Sequence, residues 1–280
     1  MMNKNIAQIW DIKFTTLNKG EILNLLHKKL EQTHHKALLW ATPNPEMLLE
    51  TLINPEFKEI LKSTDLNIPD GVGLIWACNF LEKNKNRKSK IRITASGLAR
   101  LLCLPLARKF LTSSLKTRIT GTDLMQEICT NNLFNEQKIF LLGAKQGIAE
   151  LAAKKLKEIN PELKIVGTYY GNPFDLNNVK LINQSNATIL FVAYGAPKQE
   201  IWLQQNLHQL KTIKIAIGVG GAFDFLSGKV KRAPNFMQKI GLEWLYRLIK
   251  EPKRIKRIWN ATIKFPYLII KKRLTETTTN

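Results

Sequence analysis

The sequence predicts an α/β protein, a mainly parallel sheet with helices on both faces. Short apolar runs rich in β-branched residues recur at about 8–14, 37–42, 65–69, 138–142, 164–168, 188–194 and 213–219, and helical patterns fit between most of them. Strands joined by helices run parallel, so the layout is Rossmann-like. Such sheets bind ligands outside the carboxyl ends of their strands, which directs attention to the loops that follow each strand. With 280 residues, 44% apolar and 23% charged, the chain can bury a sizeable core, which excludes a disordered, collagen-like or coiled-coil protein.

The charge is unusual. Against 22 Asp and Glu stand 43 Lys and Arg, a net +21, which implies a polyanionic partner or an anionic surface. From Lys83 to Arg118 there are eleven basic residues and no acid, with a polar KNKNRKSK opening and a second half, GLARLLCLPLARKFLTSSL, that reads as a basic amphipathic helix interrupted near Pro105. From Lys229 to Arg273 fourteen basic residues face two acids, Glu243 and Glu251. Within this segment Leu242, Leu245, Leu248 and Ile249 recur at near-helical spacing, Pro252 breaks the helix, and Ile255, Ile258, Trp259, Ile263 and Phe265 continue among cations. The expected organisation is therefore an α/β core over 1–228 with a basic insertion at about 84–114, followed by a basic amphipathic appendage over 229–280.

Cys78, Cys103 and Cys129 are odd in number and form no CxxC pair, which argues against a disulfide framework or a zinc site and fits a reducing compartment. No export signal opens the sequence, and no stretch of eighteen apolar residues occurs. A cytoplasmic protein able to lie on a membrane, without crossing it, is expected.

The strand-end loops carry the chemistry. After the strand ALLWA come Thr42, Pro43, Asn44 and Pro45; Asn before Pro is a helix N-cap signal, and the Thr hydroxyl and Asn amide also suit sugar hydroxyls or an acetamido group. After the next strand comes Pro69-Asp70-Gly71-Val72-Gly73. Asp70 reads either as the cap of a helix over about 71–81 or as a general base, with two glycines letting a substrate approach beside it. In Arg118-Ile119-Thr120-Gly121-Thr122-Asp123, Thr122 or Asp123 is the expected cap, and Arg118 reads as a solvated charge. The turn at Gly143 resembles half of a dinucleotide fingerprint but lacks the GxGxxG spacing, which leaves an anion site at a helix start and argues against a nicotinamide enzyme. Two further strand ends bring Lys198, Gln199 and Glu200, then Gly220 and Asp224, to the same edge. Gln199 suits a uracil edge or a sugar, and Lys198 a phosphate. Glu200 and Asp224 also read as helix-start charges.

Taken together, TPNPEM, PDGVG, RITGTD, LLGAKQG, GAPKQE, GVGGAFDFLSGKVKRAP and GLEWLYRLIKEPKR resemble the signature series of the WecG/TagA/CpsF family of bacterial glycosyltransferases, in that family's order. The resemblance covers roughly 8–82 and 116–260; the stretch between Leu81 and Arg118 departs from it as an insertion of about thirty residues.

The resemblance implies transfer, with inversion, of an N-acetylmannosamine-type or related hexose. The donor is a UDP-sugar and the acceptor an undecaprenyl-diphosphate-linked sugar, in cell-surface polysaccharide or teichoic acid synthesis. It assigns catalysis to Asp70, as base, with Thr42 beside it. Asn44, Arg118, Gly143, Gln199, Gly220 and Asp224 are the implied substrate-binding residues. Arg247, Arg254 and Arg257 match cations of the family's membrane-contacting appendage and are assigned to the lipid diphosphate. Inverting transfer needs one carboxylate to accept the acceptor's proton. No DxD sequence is present, so arginines and helix N-termini are expected to stabilise the leaving diphosphate, with no metal and no cofactor. The expected partners are the UDP-sugar donor, the lipid-linked acceptor and the anionic inner face of the membrane, where Trp259, Phe265 and Tyr267 can settle. A homo-oligomer is left open. The rival reading, a nucleic-acid-binding protein, explains the charge alone and leaves the polar strand ends unexplained.

Overall fold

The computed structural model describes residues 6–32, 36–102, 115, 118–240 and 242–276. The chain starts with β1 (Ile6–Ile9), β2 (Ile12–Thr15), α1 (Lys19–Glu31), β3 (Leu38–Ala41), α2 (Pro45–Glu50), α3 (Pro55–Ser63), β4 (Leu66–Asn67), α4 (Val72–Asn84) and α5 (Lys90–Leu102). It continues with α6 (Gly121–Thr130), β5 (Ile139–Gly143), α7 (Ile148–Ile159), β6 (Ile165–Tyr169), α8 (Asn177–Ser185), β7 (Ile189–Ala193), α9 (Lys198–Asn206) and β8 (Ile215–Gly218). The C-terminal part is helical, with α10 (Ala222–Leu226), α11 (Asn235–Ile240), α12 (Glu243–Lys250), α13 (Ile255–Trp259) and α14 (Phe265–Glu276).

Six strands form one sheet in the order β4-β3-β8-β7-β5-β6, every neighbouring pair parallel. The expected α/β layout is present. Strands β5, β7 and β8 are buried throughout, which is why they read as unbroken apolar runs instead of alternating ones. One face packs α1, α6, α7 and α10 around Leu141, Phe191 and Ile217, and the other packs α3, α8 and α9 around Leu142, Leu190 and Trp202.

The first expected strand, 8–14, is instead the hairpin β1–β2. Its turn puts Trp10 at φ +54°, with no glycine or asparagine at that position to announce it. The hairpin joins a third cluster with α4, α5 and α14, which holds Trp76, Phe80, Ile93, Phe265 and Ile269.

That cluster redraws the C-terminal segment. Phe265, expected at a membrane interface, is fully buried and packs edge-on against Trp10, ring centres 5.7 Å apart. Within 229–280, α14 thus packs into a buried cluster through Phe265 and Ile269. The insertion helix α5 helps seat it: a Cβ on Gly97 would lie 2.7 Å from Ile270 Cδ1 and 3.1 Å from Phe80, so the backbone of α5 approaches α14 as closely as only glycine permits. The expected interruption near Pro105 lies outside the described residues.

The other end of α14 is tied by Arg273. Its buried guanidinium donates to the carbonyls of Asn84 (2.8 and 3.1 Å), Lys85 (2.8 Å) and Arg87 (3.2 Å), satisfying the carbonyls that end α4. Arg273→Ala is expected to destabilise the protein by about 2 kcal/mol, because the buried Asn84 carbonyl and the more exposed carbonyls of Lys85 and Arg87 lose a charge-assisted donor. Urea denaturation measures this, and a loss below about 0.5 kcal/mol would show the tie to be incidental.

Candidate active site

A cleft of about 720 Å³ opens over the carboxyl ends of β4, β3, β8 and β7, where parallel sheets place their ligands. Thr42, Asn44, Asp70, Arg118, Gln199, Gly220, Asp224, Arg247, Arg254 and Arg257 all line it. Gly143 does not. It ends β5 at φ +103°, and a Cβ there would lie 3.0 Å from the Ala193 carbonyl carbon, so close strand packing accounts for that glycine. Lys198 is exposed and also outside the lining.

Asp70 is no helix cap. Gly71 occupies the N-cap position of α4 without a side-chain hydrogen bond, at φ +108°, and a Cβ on Gly73 would lie 2.9 Å from Pro45 Cγ. Both glycines therefore serve the close fit of this turn against α2. Burial pushes the Asp70 carboxyl up to about 6, against the through-space pull of Arg118 and a hydrogen bond from the Gly121 N–H; Glu243 and Asp123 add to the rise. A carboxylate with that pKa is about nine-tenths ionised at pH 7 yet still basic enough to accept a proton.

The polar groups beside it are partly committed. Thr42 Oγ1 donates to the Gly218 carbonyl at 3.0 Å, which orients its lone pairs and ties β3 to β8. Asn44 caps α2, its Oδ1 accepting from the Met47 N–H at 3.1 Å, and Pro45 follows at the first helical position. The N-cap reading of Asn44 is thus the one the structure shows; capping uses the amide oxygen, and the residue also lines the cleft. Gln199 differs from expectation. Its Oε1 accepts from the N–H groups of Gly195 (3.2 Å) and Gly220 (3.1 Å), and its Nε2 donates to Glu200 at 2.7 Å. An amide so engaged has its oxygen spent and a single N–H left, and it holds two glycine turns of the cleft in place. Glu200 beneath it is fully buried and pushed by burial up to about 7.

The three tail arginines are unequal. Arg257 makes a bidentate pair with Glu46, Nε donating to Oε1 at 3.1 Å and Nη2 to Oε2 at 2.7 Å, and this hydrogen-bonded carboxylate holds its pKa above the usual value. Arg254 pairs with Glu251. Arg247 stacks its guanidinium 4.5 Å over the Phe225 ring, and its Nε is buried without a hydrogen-bond partner. Burial lowers its pKa, so Arg247 is the cation that an incoming anion would relieve most.

An ion-pair chain at the cleft wall was not legible as such in the sequence. Arg118 pairs with Glu243 at 2.5 Å, with side chains only 11% and 16% exposed. Glu243 also faces Arg232 at 3.6 Å, and Arg232 donates to Asp123 at 2.6 Å. Burial alone would raise Asp123, but its hydrogen bonds from Arg232 and Thr120 bring it below the usual range. Thr120, not Thr122 or Asp123, caps α6. The available signal was Glu243 itself, an acid retained in a strongly basic stretch. The appendage contributes further lining residues through Asn260, Ala261 and Lys264, carried on a π-helical turn at Asn260–Lys264, a distortion frequent at functional sites.

Among the described residues no three His, Cys, Asp or Glu side chains converge as a metal-ligand set, and no helix is long and apolar enough to cross a membrane. Cys78 and Cys129 are buried and joined in no disulfide, the Cys78 thiol donating to Glu82 Oε1 at 3.1 Å, and Cys103 lies outside the described residues.

Residues 7–109 and 93–279 match the family described as glycosyl transferase WecG/TagA/CpsF. A Bacillus subtilis (strain 168) protein named N-acetylglucosaminyldiphosphoundecaprenol N-acetyl-beta-D-mannosaminyltransferase is 30% identical over 251 residues, 89% of this chain and 86% of the relative. Proteins of the same name from Bacillus spizizenii (strain ATCC 23059 / NRRL B-14472 / W23) and Staphylococcus aureus (strain MRSA252) are each 30% identical, over 82% and 84% of this chain and 79% and 80% of their own lengths. A match across nearly the whole chain, joined to a cleft that gathers the expected carboxylate, amides and arginines, shows that this protein belongs to the WecG/TagA/CpsF family of glycosyl transferases.

Proposed function

We propose that this enzyme transfers N-acetylmannosamine, or a closely related hexose, from a UDP-sugar to an undecaprenyl-diphosphate-linked sugar in cell-surface polysaccharide or teichoic acid synthesis. The observation that carries this reading is the meeting, in one cleft, of the Asp70 carboxyl, its pKa raised by burial, with cations from the C-terminal segment. Asp70 takes the proton from the acceptor hydroxyl, the oxygen attacks the anomeric carbon, and UDP departs from the opposite face, inverting the configuration. Thr42 and the Asn44 NH2 group bind sugar hydroxyls or the acetamido group beside it. Arg118, Arg247 and the N-terminus of α6 offset the charge of the two diphosphates. The relatives' printed name supplies the lipid-linked acceptor and the sugar; the UDP carrier is what the family resemblance implies, and metal independence is our reading of the missing DxD sequence together with the arginines of the cleft.

The acceptor's diphosphate lies at a bilayer surface, and the C-terminal segment suits such a surface. Trp259 and Tyr267, each 59% exposed, and Ile249, Ile255 and Ile263 present apolar surface among exposed Lys253, Lys256 and Lys264. Each such cation contributes about 1 kcal/mol of attraction to an anionic leaflet, placing the enzyme peripherally on the inner face. A nucleic-acid partner would account for the charge alone, and nothing in the cleft favours it.

Incubating the purified protein with a panel of UDP-sugars and lipid-diphosphate acceptors, with product identified by mass spectrometry, tests the reading. The expected product carries one added N-acetylhexosamine on the acceptor, formed equally in the presence of EDTA. No product with any pair would overturn the proposed reaction, and loss of product in EDTA would overturn metal independence.

A further inference from the structure

We propose that Glu243, on the C-terminal helix α12, is a positioning residue for the transfer: by holding Arg118, it keeps that guanidinium off Asp70 and leaves the carboxylate free to accept a proton. The inference deepens the reaction proposed above and rests on it.

The geometry is specific. Arg118 and Asp70 line the same cleft and flank the hydrogen bond from the Ile119 N–H to the Pro69 carbonyl at 3.2 Å, while the Arg118 guanidinium donates to Glu243 Oε2 at 2.5 Å. A carboxylate paired directly with an arginine in a half-buried site becomes a poor base, because the ion pair stabilises its charged form. Glu243 competes for that guanidinium from the other side. It is itself held by Arg232, which Asp123 and the Thr120 hydroxyl anchor to the first turn of α6. The charged groups acting on Asp70 are thus Arg118 from the loop before α6, Asp123 on α6 and Glu243 on α12. Glu46 and Arg257, also in the cleft lining, neutralise each other.

This arrangement gives the C-terminal segment a second duty besides binding the lipid diphosphate. Glu243 lies 125 residues beyond Arg118, so only a chain whose α12 is seated on the cleft wall has its base set for catalysis. The raised Asp70 pKa, to which Glu243 contributes, agrees with this geometry.

The test is a titration of the Asp70 carboxyl by carbon-13 NMR in the full chain without substrate, its signal assigned by loss in Asp70→Asn. Wild type is expected to titrate at about 6. In Glu243→Gln the midpoint is expected to fall, both because the Glu243 charge itself raises Asp70 and because Arg118 is released toward Asp70. Arg118→Gln and the double variant complete a cycle that separates the two causes: through-space charges alone make the shifts add, whereas release of Arg118 makes the fall caused by Glu243→Gln at least about half a unit larger with Arg118 present than with Gln in its place. Additive shifts, or an unmoved midpoint in Glu243→Gln, would overturn the proposal. Where Glu243→Gln does not fold, Glu243→Asp replaces it: its shorter reach is expected to lower the midpoint, and superposition on wild type counts against the proposal. With substrates, Glu243→Gln is expected to lower kcat about tenfold with donor KM within about threefold. Because the titration needs no substrate, it is distinguishable from a failure of the proposed reaction, which would show as a wild-type protein that forms no product.

Discussion

Asp70→Asn is expected to lower kcat for sugar transfer by about 10²–10⁴-fold, the range that a positioned general base contributes, while UDP binding by calorimetry stays within a few-fold. The amide retains the shape and removes the basic lone pair. A second effect follows from the same burial. The Asp70 pKa is raised from 3.8 to about 6 by burial first, with Glu243 and Asp123 adding to it, so the folded protein binds a proton more tightly than the unfolded chain does. Stability from this group is fully present below pH 3.8 and is lost as pH rises through about 6, a penalty of roughly 3 kcal/mol at most at neutral pH. Solvent reaching the half-buried carboxylate reduces that figure. Asn carries no such penalty, so the variant is expected to be inactive and more stable than wild type at pH 7.5, with the gain shrinking toward pH 4. Full activity in Asp70→Asn would refute the base assignment, and a stability difference that does not vary with pH would refute the burial account.

Arg247→Gln is expected to be the most damaging of the single tail-arginine substitutions, reducing kcat/KM for the lipid-linked acceptor by about 10²-fold. The three arginines are equivalent in sequence but not in their partners. Arg257 is occupied by Glu46 and Arg254 by Glu251, so a diphosphate must compete with an existing carboxylate for either. Arg247 has an unsatisfied buried Nε and a guanidinium fixed over Phe225, so it meets an anion already oriented and partly desolvated. Steady-state kinetics on a soluble lipid-diphosphate analogue, beside UDP affinity by calorimetry, measures the effect. Acceptor use is expected to fall far more than UDP affinity; equal losses, or a larger effect from Arg254→Gln, would contradict this ranking.

Much of the sheet was legible because β5, β7 and β8 are buried on both faces, so that periodicity and composition agreed on buried strands. The loops at their carboxyl ends were legible for the same reason, since polar and glycine residues directly after such runs have few structural explanations. Less legible was anything that depends on where a distant segment returns. Phe265 carries the same amphipathic signal whether its apolar side meets lipid or Trp10, and the structure chooses Trp10. Gln199 has the right groups for a nucleobase, yet its oxygen is spent on Gly195 and Gly220 and one N–H on Glu200. The Arg118–Glu243 pair joins two segments with no local relation in sequence. The turn at Trp10 was missed because a bulky residue in the left-handed region has no sequence signature of its own.

The most direct measurement of the central claim is the structure of the full chain with UDP and a soluble undecaprenyl-diphosphate-sugar analogue bound together. An Asp70 carboxylate oxygen is expected within about 3 Å of the acceptor hydroxyl, on the side opposite UDP. A complex in which that hydroxyl is out of hydrogen-bond reach of Asp70, directly or through one water, and faces a different basic group would contradict it.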